Sequence, residues 1–335
     1  MASRQMTAEP AQLEAALRDG LSRVEVQLRE AVQSQDPFMA EVSRHLLEAG
    51  GKRFRPTLVL ACGHFGDPED SRLVPAATAV ELTHLSSLYH DDVIDEAEVR
   101  RGTGSANARW TNTVAVLAGD YLFARASELT AHLGLEATRL MARTIALLCE
   151  GQIAEVRGPG PGEDPIEHYM SVVRRKTAAL ISASCRLGGM LSGAGEEQSQ
   201  ALGRYGEKLG VAFQLADDLM DVTHDEATTG KAPGTDLREG VKTLPVLYAL
   251  GSMRDSDGEM AALLRAPKLE GAEVDRALEM LRAHPAVARA GEEVASFVAR
   301  AEAELAVLPD GAARCMLRDL AGMIIARTDQ GLGQG

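Results

Sequence analysis

Six aspartates carry the strongest chemical signal in the chain. Asp91, Asp92 and Asp95 close the stretch ELTHLSSLYHDDVID, and Asp217, Asp218 and Asp221 repeat the same DDxxD pattern in FQLADDLMD. Residues four apart on a helix share a face, about 6 Å apart along its axis, so Asp91 aligns with Asp95 and Asp217 with Asp221. Like charges stacked this way destabilise a bare helix. Hard oxygen ligands of this kind suit Mg²⁺, which keeps several waters and shares a few carboxylates with substrate phosphates. One copy reads equally well as a solvated helix end. Two copies, each on an apolar helix and each flanked by phosphate-binding residue types, point to metal chemistry.

The cations answer that charge. Gly50-Gly51-Lys52-Arg53-Phe54-Arg55-Pro56 gathers three of them beside a turn, and Arg100-Arg101-Gly102 follows the first acidic cluster. Lys176-Thr177, Lys231 and Lys242 add more, the last two in GKAPGTDLREGVK after the second cluster. Arginine forks grip phosphate oxygens at two points, and lysine acts as a mobile point charge. Any one basic pair is ordinarily a solvated face. Together with the acidic clusters the set fits two diphosphates and a metal cluster in one cavity. His84 stands seven residues before Asp91 and so lies on nearly the same helical face, which favours a binding role over a structural one. The glycines do not form GxGxxG or GxxxxGK[ST] in the strand–turn–helix setting that a nucleotide loop needs.

The elements that must position these residues read as helices. Leu13, Leu17, Leu21, Val24 and Leu28 recur at spacings of three and four after Pro10, and similar periodicity runs through about 71–95, 112–132, 136–156, 166–193, 200–223, 242–252, 287–307 and 310–327. No strand alternation is evident, and aromatic residues make up only 4% of the chain. Breaks fall at Gly50-Gly51, from Gly63 to Ser71, across RGPGPG at 157–162, and from Thr228 to Gly240. The stretch at 157–165 reads as a loop, not a linker, because the motifs on its two sides need each other. The expectation is one all-α domain, 1–335.

Composition narrows the class further. With 335 residues, 45% hydrophobic and 25% charged, the chain reads as a globular protein with ample core. Its net charge of -14 argues against a nucleic-acid partner and demands local cations wherever an anion is to bind. Cys62, Cys149, Cys185 and Cys315 form no CxxC or Cys/His cluster and read as small buried hydrophobes in a reducing compartment. The opening MASRQMTAEPAQLEAALRDG does not read as a signal peptide, and no run approaches the ~20 apolar residues of a membrane span. A cytoplasmic location is expected.

Taken in order, GGKRFRP, ELTHLSSLYHDDVIDEAEVRRG, GDYLFARA, KTA, FQLADDLMD and GKAPGTD make the chain resemble the trans-isoprenyl diphosphate synthases, or polyprenyl synthetases, from about Gly50 to Pro245. It is most similar to the long-chain bacterial members. The resemblance implies an isoprenoid-synthase-like bundle of mostly antiparallel helices around a central cavity, working as a homodimer. By the same resemblance Lys52, Arg55, His84 and Arg101 hold the diphosphate of isopentenyl diphosphate. Arg100, Lys176, Thr177, Gln214, Lys231 and Lys242 surround that of an allylic prenyl diphosphate, with Lys242 the least secure because loops there vary. Asp91, Asp95 and Asp217 are the main ligands of Mg²⁺, three ions per site, and Asp92, Asp218 and Asp221 support them. Arg100, Lys176 and Gln214 are the implied catalytic residues; the backbone carbonyl of Lys176 and the amide dipole of Gln214 steady the allylic cation.

Ser87 and Ser86 lie four and five residues before Asp91, about 6–7.5 Å along the axis. In the family, bulky aromatics at these positions resemble a floor that stops growth at short chains. Two serines, whose hydroxyls can bond back to backbone carbonyls, leave the way open, so a product of about C30 to C50 is expected. A short-chain (farnesyl or geranylgeranyl) synthase is the alternative. A non-catalytic partner subunit typically loses motif residues, and all are present here. A class I terpene cyclase leaves GGKRFRP and the second DDxxD unexplained, and head-to-head synthases of squalene type lack GGKRFRP.

Overall fold

Helices make up nearly all the regular structure in the computed structural model, which describes residues 10–224, 233–253 and 258–332. They fall into two compact units. One comprises Met1–Ala146, Leu180–Gly206 and Val307–Leu317; the other comprises Leu147–Ala179, Glu207–Ala306 and Arg318–Gly335.

In the first unit α1 (Pro10–Ala31), α2 (Pro37–Glu48), α3 (Phe54–Gly63), α4 (Leu73–Ile94) and α6 (Asn112–His132) form the core. Four members of the predicted α1 stripe, Leu13, Leu17, Val24 and Leu28, are buried, while Leu21 is half-buried. Buried Gly20 faces Leu60 of α3 instead. α4 packs against α1, α3 and α6, so it is apolar around much of its circumference. Leu73, Ala76, Ala77, Val80, Leu82, Leu85 and Tyr89 are all buried. Tyr89 ties α4 to α2: its hydroxyl donates to Val42 O at 2.5 Å and accepts from Leu46 N at 3.3 Å. Beyond α4 the chain forms a hairpin of β1 (Val99–Arg100) and β2 (Thr103–Gly104), then α5 (Ala106–Arg109). This two-residue ladder was not expected. It forms because Arg101 and Gly102 both adopt positive φ, 54° and 74°, the geometry of a tight hairpin turn.

In the second unit the end of α7 (Leu135–Arg157) leads through an exposed turn to α8 (Pro165–Val173), capped by Asp164 with Pro165 at its start. The helix predicted over 166–193 does not run unbroken. Arg174–Ala178 widens into a π turn before α9 (Ala179–Ser192), which from Leu180 on belongs to the first unit. α10 (Glu196–Thr223) ends where Arg282 of α14 (Ala272–Arg282) donates to Val222 O at 2.6 Å and His224 O at 3.4 Å, a cation on terminal carbonyls. The break expected from Thr228 to Gly240 contains a short helix, α11 (Thr235–Glu239), in its described part. α12 (Leu244–Ser252) packs against α8 and α15 (Pro285–Glu304); α13 (Gly258–Arg265) and α16 (Ala312–Leu332) complete the order.

The all-α expectation is met. Cysteine placement needs correcting: Cys62 and Cys185 are buried, but Cys149 and Cys315 are exposed, on outward turns of α7 and α16. No helix among the described residues is long and apolar enough to cross a membrane.

Candidate active site

Both DDxxD motifs stand at the C-terminal ends of their helices, α4 and α10. That end already carries the negative pole of the helix, so carboxylates there are doubly disfavoured unless cations answer them. Within each motif the three aspartates divide. The middle one is buried: Asp92 is 0% exposed and Asp218 6%. Asp91, Asp217 and Asp221 are half-buried and Asp95 is exposed.

In the first unit, Asp92 is occupied by Arg100. Just before the β1–β2 turn, Arg100 of β1 reaches back so that its Nε donates to Asp92 Oδ1 at 2.6 Å. Burial raises the Asp92 pKa and the arginine opposes that rise. The same turn delivers Arg101, whose Nη1 donates to Gly50 O and, at 3.1 Å, to Leu46 O. His45 Nε2 donates to Gly104 O at 2.7 Å and anchors the hairpin. A β-carbon at Gly51 would lie 2.9 Å from Arg53 Nη1 and 3.1 Å from Arg101 Nη1, so glycine is what lets two guanidinium groups pass.

Three cations of GGKRFRP have three different fates. Lys52 is exposed. Arg53, in the left-handed region at φ 48°, is neutralised by Glu25 at 2.5 Å and Glu81 at 3.1 Å, and donates to Leu47 O at 3.3 Å. It is a structural cation. Arg55 keeps a buried Nε that no acceptor among the described residues satisfies. A buried unpaired donor is costly, and here it points to an anion. His84 shares this environment: burial holds its pKa well below the usual imidazole range, and Arg55, Arg101, Arg100 and Arg53 push it further down. The imidazole is therefore neutral beside four guanidinium groups. Buried Glu81 is the counter-charge beneath them.

Just upstream, Ser86 is buried and its Oγ donates to Gly119 O of α6 at 2.8 Å. Ser87 is half-buried, and its Oγ donates back to His84 O at 2.8 Å.

In the second unit, Lys176 and Thr177 lie in the π turn, a distortion common at functional sites. Gly151 of α7 makes room for it, since a β-carbon there would lie 2.7 Å from Lys176 N. Lys176 Nζ pairs with Glu155 of α7. Thr177 Oγ1 donates to Gln214 Oε1 at 2.8 Å, and Gln214 Nε2 donates to Asp218 Oδ1 at 2.8 Å. The Tyr169 hydroxyl of α8 donates to Asp218 Oδ2. Burial pushes the Asp218 pKa up to about 7, against the bonds from Tyr169 and Gln214. Asp217 receives Arg327 of α16 at 3.4 Å. Asp221 accepts from Thr235 N at 3.0 Å and Asp236 N at 3.1 Å, capping α11. Lys242 donates to Ala266 O at 2.7 Å, beyond the end of α13. Lys231 lies outside the described residues.

Sequence spacing picked out the aspartates and the cation turns as candidates, but not Glu81, Glu155, Tyr169 or Arg327, which contact them. Among the described residues no three acidic, histidine or cysteine side chains converge enough to cage a metal. Paired carboxylates on one helix face still fit Mg²⁺, which takes only one or two carboxylates and fills its shell with water and phosphate oxygens.

The family model described as polyprenyl synthetase matches residues 36–281. The nonaprenyl diphosphate synthase of Mycobacterium tuberculosis is 48% identical over 314 residues, 93% of this chain and 94% of its own length. The structure of a decaprenyl diphosphate synthase from Rhodobacter capsulatus matches with a TM-score of 0.87 at 35% identity, over 95% of this chain and 99% of that one. A geranylgeranyl pyrophosphate synthase from Corynebacterium glutamicum, solved with calcium and isoprenyl diphosphate, matches with a TM-score of 0.85 at 42% identity, over 94% and 97% respectively.

Proposed function

The chain belongs to the polyprenyl synthetase family, and on that premise we propose that it is a trans-prenyltransferase. It joins isopentenyl diphosphate head-to-tail to an allylic prenyl diphosphate and makes a long, all-trans polyprenyl diphosphate. The observation that carries this reading is the buried, unsatisfied Arg55 Nε beside neutral His84, in a chain whose net charge is -14. Such a cradle answers an anion with several oxygens.

In this reading Lys52, Arg55 and Arg101 grip the diphosphate of isopentenyl diphosphate, and His84 completes its hydrogen bonds. Lys176, Thr177 and Gln214 are assigned to the allylic diphosphate, with Arg100, Lys231 and Lys242 as further cations. The allylic C–O bond breaks, diphosphate leaves with the electron pair, and the double bond of isopentenyl diphosphate attacks the cation. A new C–C bond forms. Loss of a proton, for which released diphosphate is the acceptor, gives a product five carbons longer. Protein dipoles stabilise the leaving charge best where water is excluded. Asp91, Asp95 and Asp217 would hold the Mg²⁺ ions, three by the family resemblance, with Asp92, Asp218 and Asp221 in support; the metal would supply Lewis-acid pull on the allylic diphosphate.

Residues 1–335 act as one catalytic domain in the cytoplasm, and as a homodimer. Support for the dimer comes from α6, which leaves Val116, Leu117 and Phe123 exposed. A short-chain product is the second reading, favoured by the 42% identity to a geranylgeranyl pyrophosphate synthase. The metal assignment is tested by Asp91→Ala and Asp217→Ala, which should lose turnover by orders of magnitude while keeping the helical circular-dichroism spectrum. Near-normal turnover of either variant, or full activity in excess chelator, overturns it.

A further inference from the structure

Tyr169 stands at the head of a hydrogen-bond chain that runs through Asp218 to Gln214 and Thr177. The Asp218 carboxylate accepts from the Tyr169 hydroxyl and, at 2.8 Å, from Gln214 Nε2. Acceptance there fixes the amide: its nitrogen faces Asp218 and its oxygen faces away, where Thr177 Oγ1 donates to it at 2.8 Å. The Gln214 carbonyl is therefore engaged. The donor left over, among the described residues, is the second hydrogen on Gln214 Nε2. Asp218 is buried and Gln214 and Thr177 are half-buried, so the chain runs from the interior towards the two residues assigned to the allylic diphosphate.

We propose that Tyr169 is a positioning residue for the condensation: through Asp218 it sets the polarity of Gln214, so that an N–H and not a carbonyl is offered to the allylic diphosphate. This rests on the prenyltransferase reading and refines it, because an amide fixed this way helps hold the leaving group instead of steadying the carbocation. A Tyr hydroxyl that only filled space or satisfied Asp218 would act on stability alone. One that orients Gln214 acts on one substrate and not on the other.

The experiment is a double-mutant cycle on the full chain with Mg²⁺, read by calorimetric binding of a non-reactive allylic thiolodiphosphate and by steady-state kinetics. Tyr169→Phe is expected to weaken allylic thiolodiphosphate binding about tenfold, the loss of one hydrogen bond. Affinity for isopentenyl diphosphate should stay within twofold. In a Gln214→Leu background the same substitution should add less than twofold, because its effect passes through the amide. Thr177→Val, cycled with Gln214→Leu in the same way, approaches the chain from its other end and serves if Tyr169→Phe folds poorly. Equal losses for both substrates, additive losses in the cycle, or no loss in Tyr169→Phe would overturn the proposal. Wild type that binds neither diphosphate would sink the prenyltransferase reading instead.

Discussion

Asp92, fully buried at the end of α4, accepts a 2.6 Å hydrogen bond from Nε of Arg100, eight residues further on in β1. The acidic motif and the basic motif that follows it are thus one device. Its central carboxylate aims an arginine, and in the proposed reading Asp91 and Asp95 serve the metal.

That relationship predicts a separation of stability from turnover. Asp92→Asn keeps an acceptor for Arg100 and removes a charge whose burial is costly, so thermal stability should hold or rise. Turnover should fall tenfold or more, because an ordinary hydrogen bond replaces a charge-assisted one. Arg100→Met should do worse on both counts, since it strands the carboxylate at a cost of about 3 kcal/mol. Thermal melts and kcat for the two variants check this; Asp92→Asn losing stability in step with activity would reduce the pair to a structural brace.

His84 predicts a pH dependence with a definite sign. Its folded pKa lies well below the ordinary value near 6.5, through burial and then the four arginines. Between those two values the unfolded chain binds more protons than the folded one, so stability rises with pH across that window and is lost as pH falls through it. Bound diphosphate offsets the arginine charge and raises the pKa, so binding isopentenyl diphosphate near pH 6 should take up protons. Calorimetry in buffers of different ionisation enthalpy measures that uptake, and His84→Asn should abolish it. Wild type and His84→Asn taking up equal numbers of protons would refute it.

The two serines should not behave alike. Ser86 is buried with its Oγ on Gly119 O, where α4 and α6 pack, so Ser86→Phe overpacks an interface and should cost about 1–3 kcal/mol or more. Ser87 is half-buried and turns its hydroxyl back on its own helix. A ring there, about 6 Å before Asp91, should shorten the product towards C15–C20 with little loss of first-step rate. Product sizing of Ser87→Phe decides it, and an unchanged product would place the floor elsewhere.

How much of this was legible in the sequence depended on whether a partner sits within a helical turn or two. Asp91 with Asp95, and Asp217 with Asp221, follow from spacing alone, as does the buried stripe of α1. Arg327 lies 110 residues from Asp217, and nothing in local pattern couples them. Glu155 and Tyr169 escaped notice for the same reason, because each meets its partner on another element, 21 and 49 residues away in sequence. GGKRFRP showed three cations but not that Arg53 is neutralised by Glu25 and Glu81 while Arg55 is left with an unsatisfied donor. Such distinctions arise from tertiary contact, where burial decides which charge is spent on structure.

The most direct test of the central claim is product sizing by the purified chain alone, given Mg²⁺, labelled isopentenyl diphosphate and a farnesyl or geranylgeranyl diphosphate starter. The account predicts successive five-carbon additions ending at about C30 to C50, because serines one helical turn before Asp91 set no floor. A chain that incorporates no label would contradict the prenyltransferase itself, and products ending at C20 or below would contradict the long-chain reading.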